Sequence, residues 1–561
     1  MPPRQLIVLC GLGVAITTRA AETPRWLKPD QPRPGDEERV FTPRGFSRPG
    51  VPAVADAATG ARLRVVIRDA ATGRPTFCRV NVVGPGGDFH QPATNHLKAF
   101  GLTGTWPRQM AGNRVGKAPI RYFGRFFYSD GDFNVNVPQG RVAIEAWKGF
   151  EFAPIRHEVE TQPGDNPPIA LTLRRSVDMA AIGWHGGDPH LHFPRNTPED
   201  DQIILDLMEA EDVRYGGILC YNPTSSYRGD MASQEIPQRS LGMVSVARRG
   251  DHQILSGQEY RSNQYGHTKV FLVDDLVRAG ESYDPNLLPV FADAVKPLRD
   301  RGAIVFWAHG GYGKEIFADY LLHAVDGVEL LQFGVYRRIG LEGWYRILNI
   351  GHRLPASGAS DYPACRKLAD CRTYVHCGPG SGMDDWLRGM KAGRSFVTTG
   401  PLLLLDVEGR RPGDTISLSR PGRLQTIVKL RCEVAPVTHV DLIVNGTIRE
   451  RRKLDANAGR GQWIELRTDL EIEQPAWIAA AAWSSAPSGS PDAEAHTNPV
   501  YVDLAGRRPW NDADAGWLQT QLDQQIAAHR RRLQDPTRDA VLDHFLRARH
   551  RLVELRSQQG L

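Results

Sequence analysis

Asp188, His190 and His192 stand at every second position of the stretch GGDPHLHFP, Gly186 to Pro194. Imidazole and carboxylate are ligands for divalent ions. Residues two apart on a strand share a face, so His190 and His192 can reach one ion. The pair alone proves little, because 17 His in 561 residues give roughly 0.5 His-x-His pairs by chance. Other groups of the same chemistry also follow short apolar runs. Glu259 comes after QILSG, His309 ends AIVFWA, Asp361 ends the small-residue stretch ASGAS, and His267 opens the run ending at Val273. Four histidines and two carboxylates from four or five strand ends suit one or two divalent ions of zinc, manganese or iron, with a carboxylate as bridge. Arg261, two residues beyond Glu259, is a candidate contact for an anionic or carbonyl oxygen. Asp188 is a candidate for holding an imidazole proton. The remaining histidines, among them His185, His252, His323, His352 and His376, read as structural.

The elements that must position these residues follow from the patterning. Across 176–400 short apolar runs alternate with helix-like segments, the rhythm of a parallel sheet or βα barrel, whose working residues lie past the strand ends. Thr197 and Asp200 before Ile203, Ile204, Leu207 and Met208 predict a capped amphipathic helix. Gly393 ends another over 383–392. Upstream, 61–175 reads as a small β-sandwich: Phe133, Val135 and Val137 alternate with Asn134 and Asn136, a half-buried strand pattern. Its layout resembles the carboxypeptidase-regulatory-like sandwich found on secreted enzymes. Residues 401–505 return to strand signals around the turn Asn445-Gly446. The tail, 506–561, is polar and helical, split by Asp535-Pro536.

The ends and the composition bound the function. Residues 1–21 carry Arg4, the apolar run Leu6 to Ile16 and small residues before Glu22, the pattern of a secretory signal peptide. A Pro-rich extended arm over 22–60 follows. A secreted or periplasmic protein is expected. No later run reaches the roughly 18 apolar residues that span a bilayer, so no transmembrane anchor is expected. With 41% hydrophobic and 24% charged residues and a net charge of +5, the chain is globular, and nucleic acid is an unsuitable partner. Six cysteines follow the signal, and Cys371 is expected to pair with Cys365 or Cys377.

The ordered set HLH at 190–192, GQE at 257–259 with His267 following, AHGG at 308–311 and GASD at 358–361 resembles the motifs of the PHP-type metallohydrolases. LRGMKAGRSFVTTGPLLLLDVEGRRPGDTI at 387–416 and AHTNPVYV at 495–502 resemble the carbaryl-hydrolase branch, CehA/McbA-like. The resemblance covers roughly residues 180–502. It implies a distorted (β/α)7 barrel, flanked here by two β-sandwich-like domains and the helical tail. It also implies hydrolysis of an ester, carbamate or phosphoester by a metal-bound hydroxide. The ligands it implies are His190, His192, Glu259, His267, His309 and Asp361, with Glu259 bridging two ions. Many PHP proteins carry Asp-x-His at the last motif, whereas Asp361 is followed here by Tyr362 and Pro363, which argues against a third ion.

The leading expectation is thus a secreted metal-dependent hydrolase of small-molecule esters or carbamates, with Glu259 and Arg261 in the catalytic machinery. Few cations neighbour the ligands, namely Arg195, Arg261, Arg337 and Arg338. Phe193, Tyr260, Trp307 and Tyr312 offer aromatic surface for an aryl leaving group. A phosphoesterase on the same fold, and an exported glycan- or peptide-binding protein without activity, are the alternatives.

Overall fold

A computed structural model describes residues 60–101, 126–193, 195, 197–220, 241–262, 265–277, 291–308, 310, 315–331, 341–362, 367–455, 457–485, 491–532 and 537–559. The expected signal peptide and arm, together with His309, Tyr312, Arg337, Arg338 and Cys365, lie outside them.

Period-two alternation builds the first unit. In the strand Asp132–Pro138, Phe133, Val135 and Val137 are buried, while Asn134 and Asn136 are exposed. This strand pairs antiparallel with Gly60–Asp69, which runs parallel to Ile169–Leu173. A second sheet pairs Cys78–Val83 with Gly140–Trp147, and the latter with Ile155–Thr161. One apolar cluster, including Val65, Ile67, Val80, Val82, Val135 and Ile144, joins the two sheets. The unit is pinned to the rest of the chain by Glu211, which is fully buried. Its carboxylate meets Arg79 at 3.2 Å, Lys367 at 3.0 Å and the Tyr128 hydroxyl at 3.0 Å.

The strands bearing the candidate ligands belong to a sheet of sixteen strands among the described residues. Trp184–Leu191 and Tyr215–Cys220 are parallel and buried at every position, as strands covered on both faces must be. His252–Ser262 continues in parallel, Gly266–Phe271 and Ile304–Trp307 follow antiparallel, and Gly327–Leu331 and Ala356–Gly358 are parallel again. The run then bends back. Leu191 forms an isolated parallel bridge with Tyr362, and the His192 amide donates to the Tyr362 carbonyl at 2.8 Å. No continuous ladder closes the circuit among the described residues. In the other direction Trp184–Leu191 pairs with Arg372–His376, and the sheet continues through Ser395–Thr398 into Pro491–Thr497 and Ala476–Ser485. Its hydrogen bonds therefore run across residue 400, where the sequence pattern changes.

Local chemistry explains the covering helices. Helix Pro198–Ala210 starts with a reciprocal box in which Thr197 accepts from the Asp200 amide and Asp200 accepts from the Thr197 amide, satisfying two orphan donors. Helix Met383–Lys391 lays Trp386 over the strand at Gly187, where a Cβ would stand 2.4 Å from Trp386 Cζ2. This close approach is what the glycine before Asp188 permits. Helices Asp512–Arg532 and Thr537–Ser557 bury Leu518, Leu522, Val541 and Phe545 against Ile316, Leu321 and Trp344. Among the described residues no helix is long and apolar enough to cross a membrane. Of the two pairings expected for Cys371, the one with Cys377 is not formed, since Cys377 is a free thiol, and the one with Cys365 lies outside the described residues.

The motif AHTNPVYV acts as a clamp. Asn498 Oδ1 accepts from the Ala356 amide at 2.7 Å, while its Nδ2 donates to the Ala356 carbonyl at 2.9 Å and to Ser395 Oγ at 2.7 Å. It thereby fixes the strand that leads to Asp361. Asn498→Ala leaves those buried backbone groups unmatched and is expected to destabilise the protein by about 2–4 kcal/mol. Urea unfolding monitored by tryptophan fluorescence reads this, and an unchanged midpoint would refute the clamp.

Candidate metal centre

His190 and His192 sit at the end of Trp184–Leu191. Glu259 and His267 come from the antiparallel pair His252–Ser262 and Gly266–Phe271, and Asp361 follows Ala356–Gly358. The hairpin register sets Glu259 opposite Lys269 and Arg261 opposite His267, so all four share one face. That register explains the sequence spacing between Glu259 and His267. Asp361 is held at φ +55°, a left-handed conformation uncommon for a non-glycine residue and frequent at functional sites.

The side chains converge. His190 Nε2 lies 3.5 Å from Glu259 Oε1 and 3.3 Å from Asp361 Oδ1. His192 Nε2 lies 3.2 Å from Glu259 Oε2 and 3.1 Å from the same Asp361 oxygen. His267 Nδ1 is 3.0 Å from Glu259 Oε1. His190, His192 and Glu259 each offer a ligand atom, all within 4.8 Å of one another. Of the six expected ligands, five are therefore gathered, and His309 lies outside the described residues.

The opposite ring nitrogens decide what these contacts are. His192 Nδ1 is 2.9 Å from the Leu219 carbonyl, which can only accept, so that nitrogen carries the proton. His190 Nδ1 is 3.1 Å from Glu329 Oε2, again an acceptor. In neutral imidazoles both Nε2 lone pairs then face carboxylate oxygens. Five acceptor atoms, the two Nε2 and three carboxylate oxygens, meet in four contacts of 3.1–3.5 Å and need positive charge among them, and an imidazole–carboxylate donor set fits a divalent ion. The same demand for positive charge shows on the rings themselves, where a second proton competes with an ion for the Nε2 positions. Burial disfavours charge on His190, yet the Asp361, Glu329 and Glu259 carboxylates raise it to about 10. Against the same burial, His190 and His192 lower Asp361 to about 2. Arg261, His190 and His267 hold Glu259 well below the usual carboxylate range.

Several expectations need correction. Among the described residues Asp188 holds no imidazole proton; its Oδ1 accepts the His190 and Ser360 amides and its Oδ2 the Ala369 amide, each at 3.1 Å. It staples the two ligand-bearing segments, while burial raises its carboxyl to about 6. Arg195 is bound by Asp201 at 2.6 Å and donates to Ser256 Oγ at 2.7 Å. Arg261 directs Nε and Nη2 at Glu259 Oε2, at 2.6 and 2.5 Å. Phe193, Tyr260 and Trp307 are core rather than a leaving-group surface, and Tyr312 lies outside the described residues. Trp307 is buried and donates Nε1 to Asp319 at 3.0 Å, Tyr260 belongs to the same apolar cluster, and Phe193 stacks on Tyr362 at 5.3 Å.

Two buried residues behind His190 escaped the sequence reading. Glu329 and Lys269 are fully or almost fully buried and ion-paired, with Lys269 also 3.3 Å from Ser357 Oγ. The available signal was a lone charge inside each apolar run, HTKVF and GVELL. A second buried group, Glu315, Asp319 and His544, joins the C-terminal helix to Trp307 through Asp319, with His544 Nε2 at 3.0 Å.

No protein-family profile and no curated protein sequence matches the chain. Among solved structures, PsfC from Pseudomonas syringae is 15% identical over 37% of this chain and 90% of its own, at a TM-score of 0.25. The lesion-specific endonuclease PfuEndoQ from Pyrococcus furiosus is 10% identical over 37% of this chain and 56% of its own, at 0.24. A CARDB domain from Pyrococcus furiosus, crystallised in complex with di-metal ions, is 17% identical over 19% of this chain and 96% of its own, at 0.12. Likenesses at these scores carry no argument about fold or reaction, and the functional reading rests on the chain's own residues.

Proposed function

We propose that the chain is an exported, metal-dependent hydrolase of the CehA/McbA-like branch of the PHP superfamily. On this reading the strand circuit is a distorted (β/α)7 barrel, and the reaction cleaves a small-molecule ester or carbamate. The carrying observation is the pair of imidazole Nε2 atoms aimed at Glu259 and Asp361 while both Nδ1 atoms face acceptors. His190, His192, Glu259 and Asp361 would hold one divalent ion. His267, with the resemblance-assigned His309, would hold a second through the shared Glu259. A divalent ion bound there lowers the pKa of a coordinated water toward neutrality and polarises the scissile oxygen. Arg261 keeps Glu259 ionised and oriented, and Glu329 keeps the His190 proton on Nδ1.

The bond class follows from where the cations are spent. Phosphoryl transfer needs fixed positive charge on several oxygens, but among the described residues Arg195, Arg261 and Lys269 each serve a protein carboxylate. We therefore expect carboxyl esters and carbamates to be preferred over phosphoesters. Metal analysis of the purified protein, followed by p-nitrophenyl acetate, a p-nitrophenyl carbamate and p-nitrophenyl phosphate with and without chelator, tests this. Chelation should abolish turnover. A larger rate enhancement on the phosphate, corrected for the uncatalysed rates, would overturn the bond class but not the metal site.

A further inference from the structure

A cavity of about 420 Å³ that shares no residue with the ligand cluster lies among four segments. These are the turn after helix Ile316–Leu321, the loop after helix Leu341–Asn349, the turn after strand Val500–Leu504, and the end of helix Thr537–Ser557. Its lining includes Arg353, Arg507, Arg508 and Arg551 and no carboxylate side chain. Two of these guanidiniums have acidic partners outside the lining, Arg353 with Asp503 at 2.8 Å and Arg551 with Glu554 at 3.0 Å. Neither Arg507 nor Arg508 makes an ion pair with a described residue. Arg508 packs over Gly351, at φ +81°, where a Cβ would come within 3.2 Å of Arg508 Cβ.

Two histidines complete the wall. His352 is 6% exposed, and its Nε2 has no hydrogen-bond partner among the described residues. Its ring lies 4.8 Å from that of His323. Burial, then His323, Arg551 and Arg508, press His352 down to about 3, so its ring stays neutral beside the arginines. A buried polar nitrogen without a partner is costly, and uncompensated guanidiniums facing one hollow are matched to an oxyanion.

We propose that this cavity is a second binding site, separate from the metal centre, for a phosphorylated small molecule whose phosphoryl oxygens are held by Arg507, Arg508, Arg551 and His352. The forked guanidinium pairs with phosphoryl oxygens through parallel hydrogen bonds, and the volume falls within the range of small-molecule sites.

Calorimetric titration of the full chain with inorganic pyrophosphate, at about 0.15 M salt to screen diffuse attraction, tests the site. One-to-one binding is expected for the wild-type protein and for His190→Ala, which disables the metal centre. Arg507→Ala/Arg508→Ala, at exposed positions, should keep the unliganded melting temperature and weaken binding at least tenfold. Gly351→Val, which displaces Arg508, should weaken it as well. Absence of binding, equal binding by the double arginine variant, or loss confined to His190→Ala would each overturn the proposal.

Discussion

Replacing His192 with alanine is expected to strip the protein of its divalent ion and lower turnover by about a thousandfold, close to 4 kcal/mol of transition-state stabilisation. The substitution removes the Nε2 that lies 3.1 Å from Asp361 and 3.2 Å from Glu259. The two carboxylates then face each other without the imidazole that completes the donor set. The backbone at this point is held independently, by the His192 amide on the Tyr362 carbonyl and by Asp188 on the His190 amide, so the fold should survive. His190→Ala is expected to behave alike, as is His309→Ala on the ligand set that the family resemblance implies. Metal content by atomic emission, turnover and far-ultraviolet circular dichroism on the same preparations measure all three consequences. Retained turnover above a tenth of wild type, with metal bound, would remove the residue from the centre.

The second large effect belongs to the buried pair behind His190. Lys269→Met leaves Glu329 charged and buried without its ammonium partner, and breaking such a pair costs about 3–5 kcal/mol. Glu329→Gln should act differently. It weakens the acceptor that holds the His190 Nδ1 proton, and loss of such support lowers metal affinity about 10- to 100-fold. The double variant Lys269→Met/Glu329→Gln removes both charges and should recover most of the stability while keeping the affinity defect. Denaturant unfolding and metal titration separate these outcomes. A Lys269→Met protein as stable as wild type, or a Glu329→Gln protein with unaltered metal affinity, would show that the pair does not position His190.

What the amino-acid order determined by itself is local. The spacing of His190 and His192 sets both on one strand face, because side chains on a strand repeat every two residues. The separation of Glu259 and His267 matches a hairpin that returns both to that face. Thr197 and Asp200 cap a helix through groups only three residues apart. Phe133, Val135 and Val137 face inward while the asparagines between them face water. Each rests on contacts within a few residues, where propensity and periodicity act directly.

Tertiary structure decided what lies across the chain. Glu329 stands 139 positions from the His190 ring it holds, and no local pattern marks a carboxylate as that partner. Phe193, Tyr260 and Trp307, near the ligands in sequence, turned inward, because apolar area is stabilised away from water wherever the fold provides a core; Trp307 reached Asp319 instead of a substrate. Asp188 holds backbone rather than imidazole, because its burial places the amides of Ser360 and Ala369 within reach. His352 read as one structural histidine among many until folding set it beside arginines from the far end of the chain. Ligand identity is a property of residue type and short spacing. Orientation, protonation and charge balance depend on groups that only folding brings together, and these decide whether a ligand-bearing residue becomes part of a site.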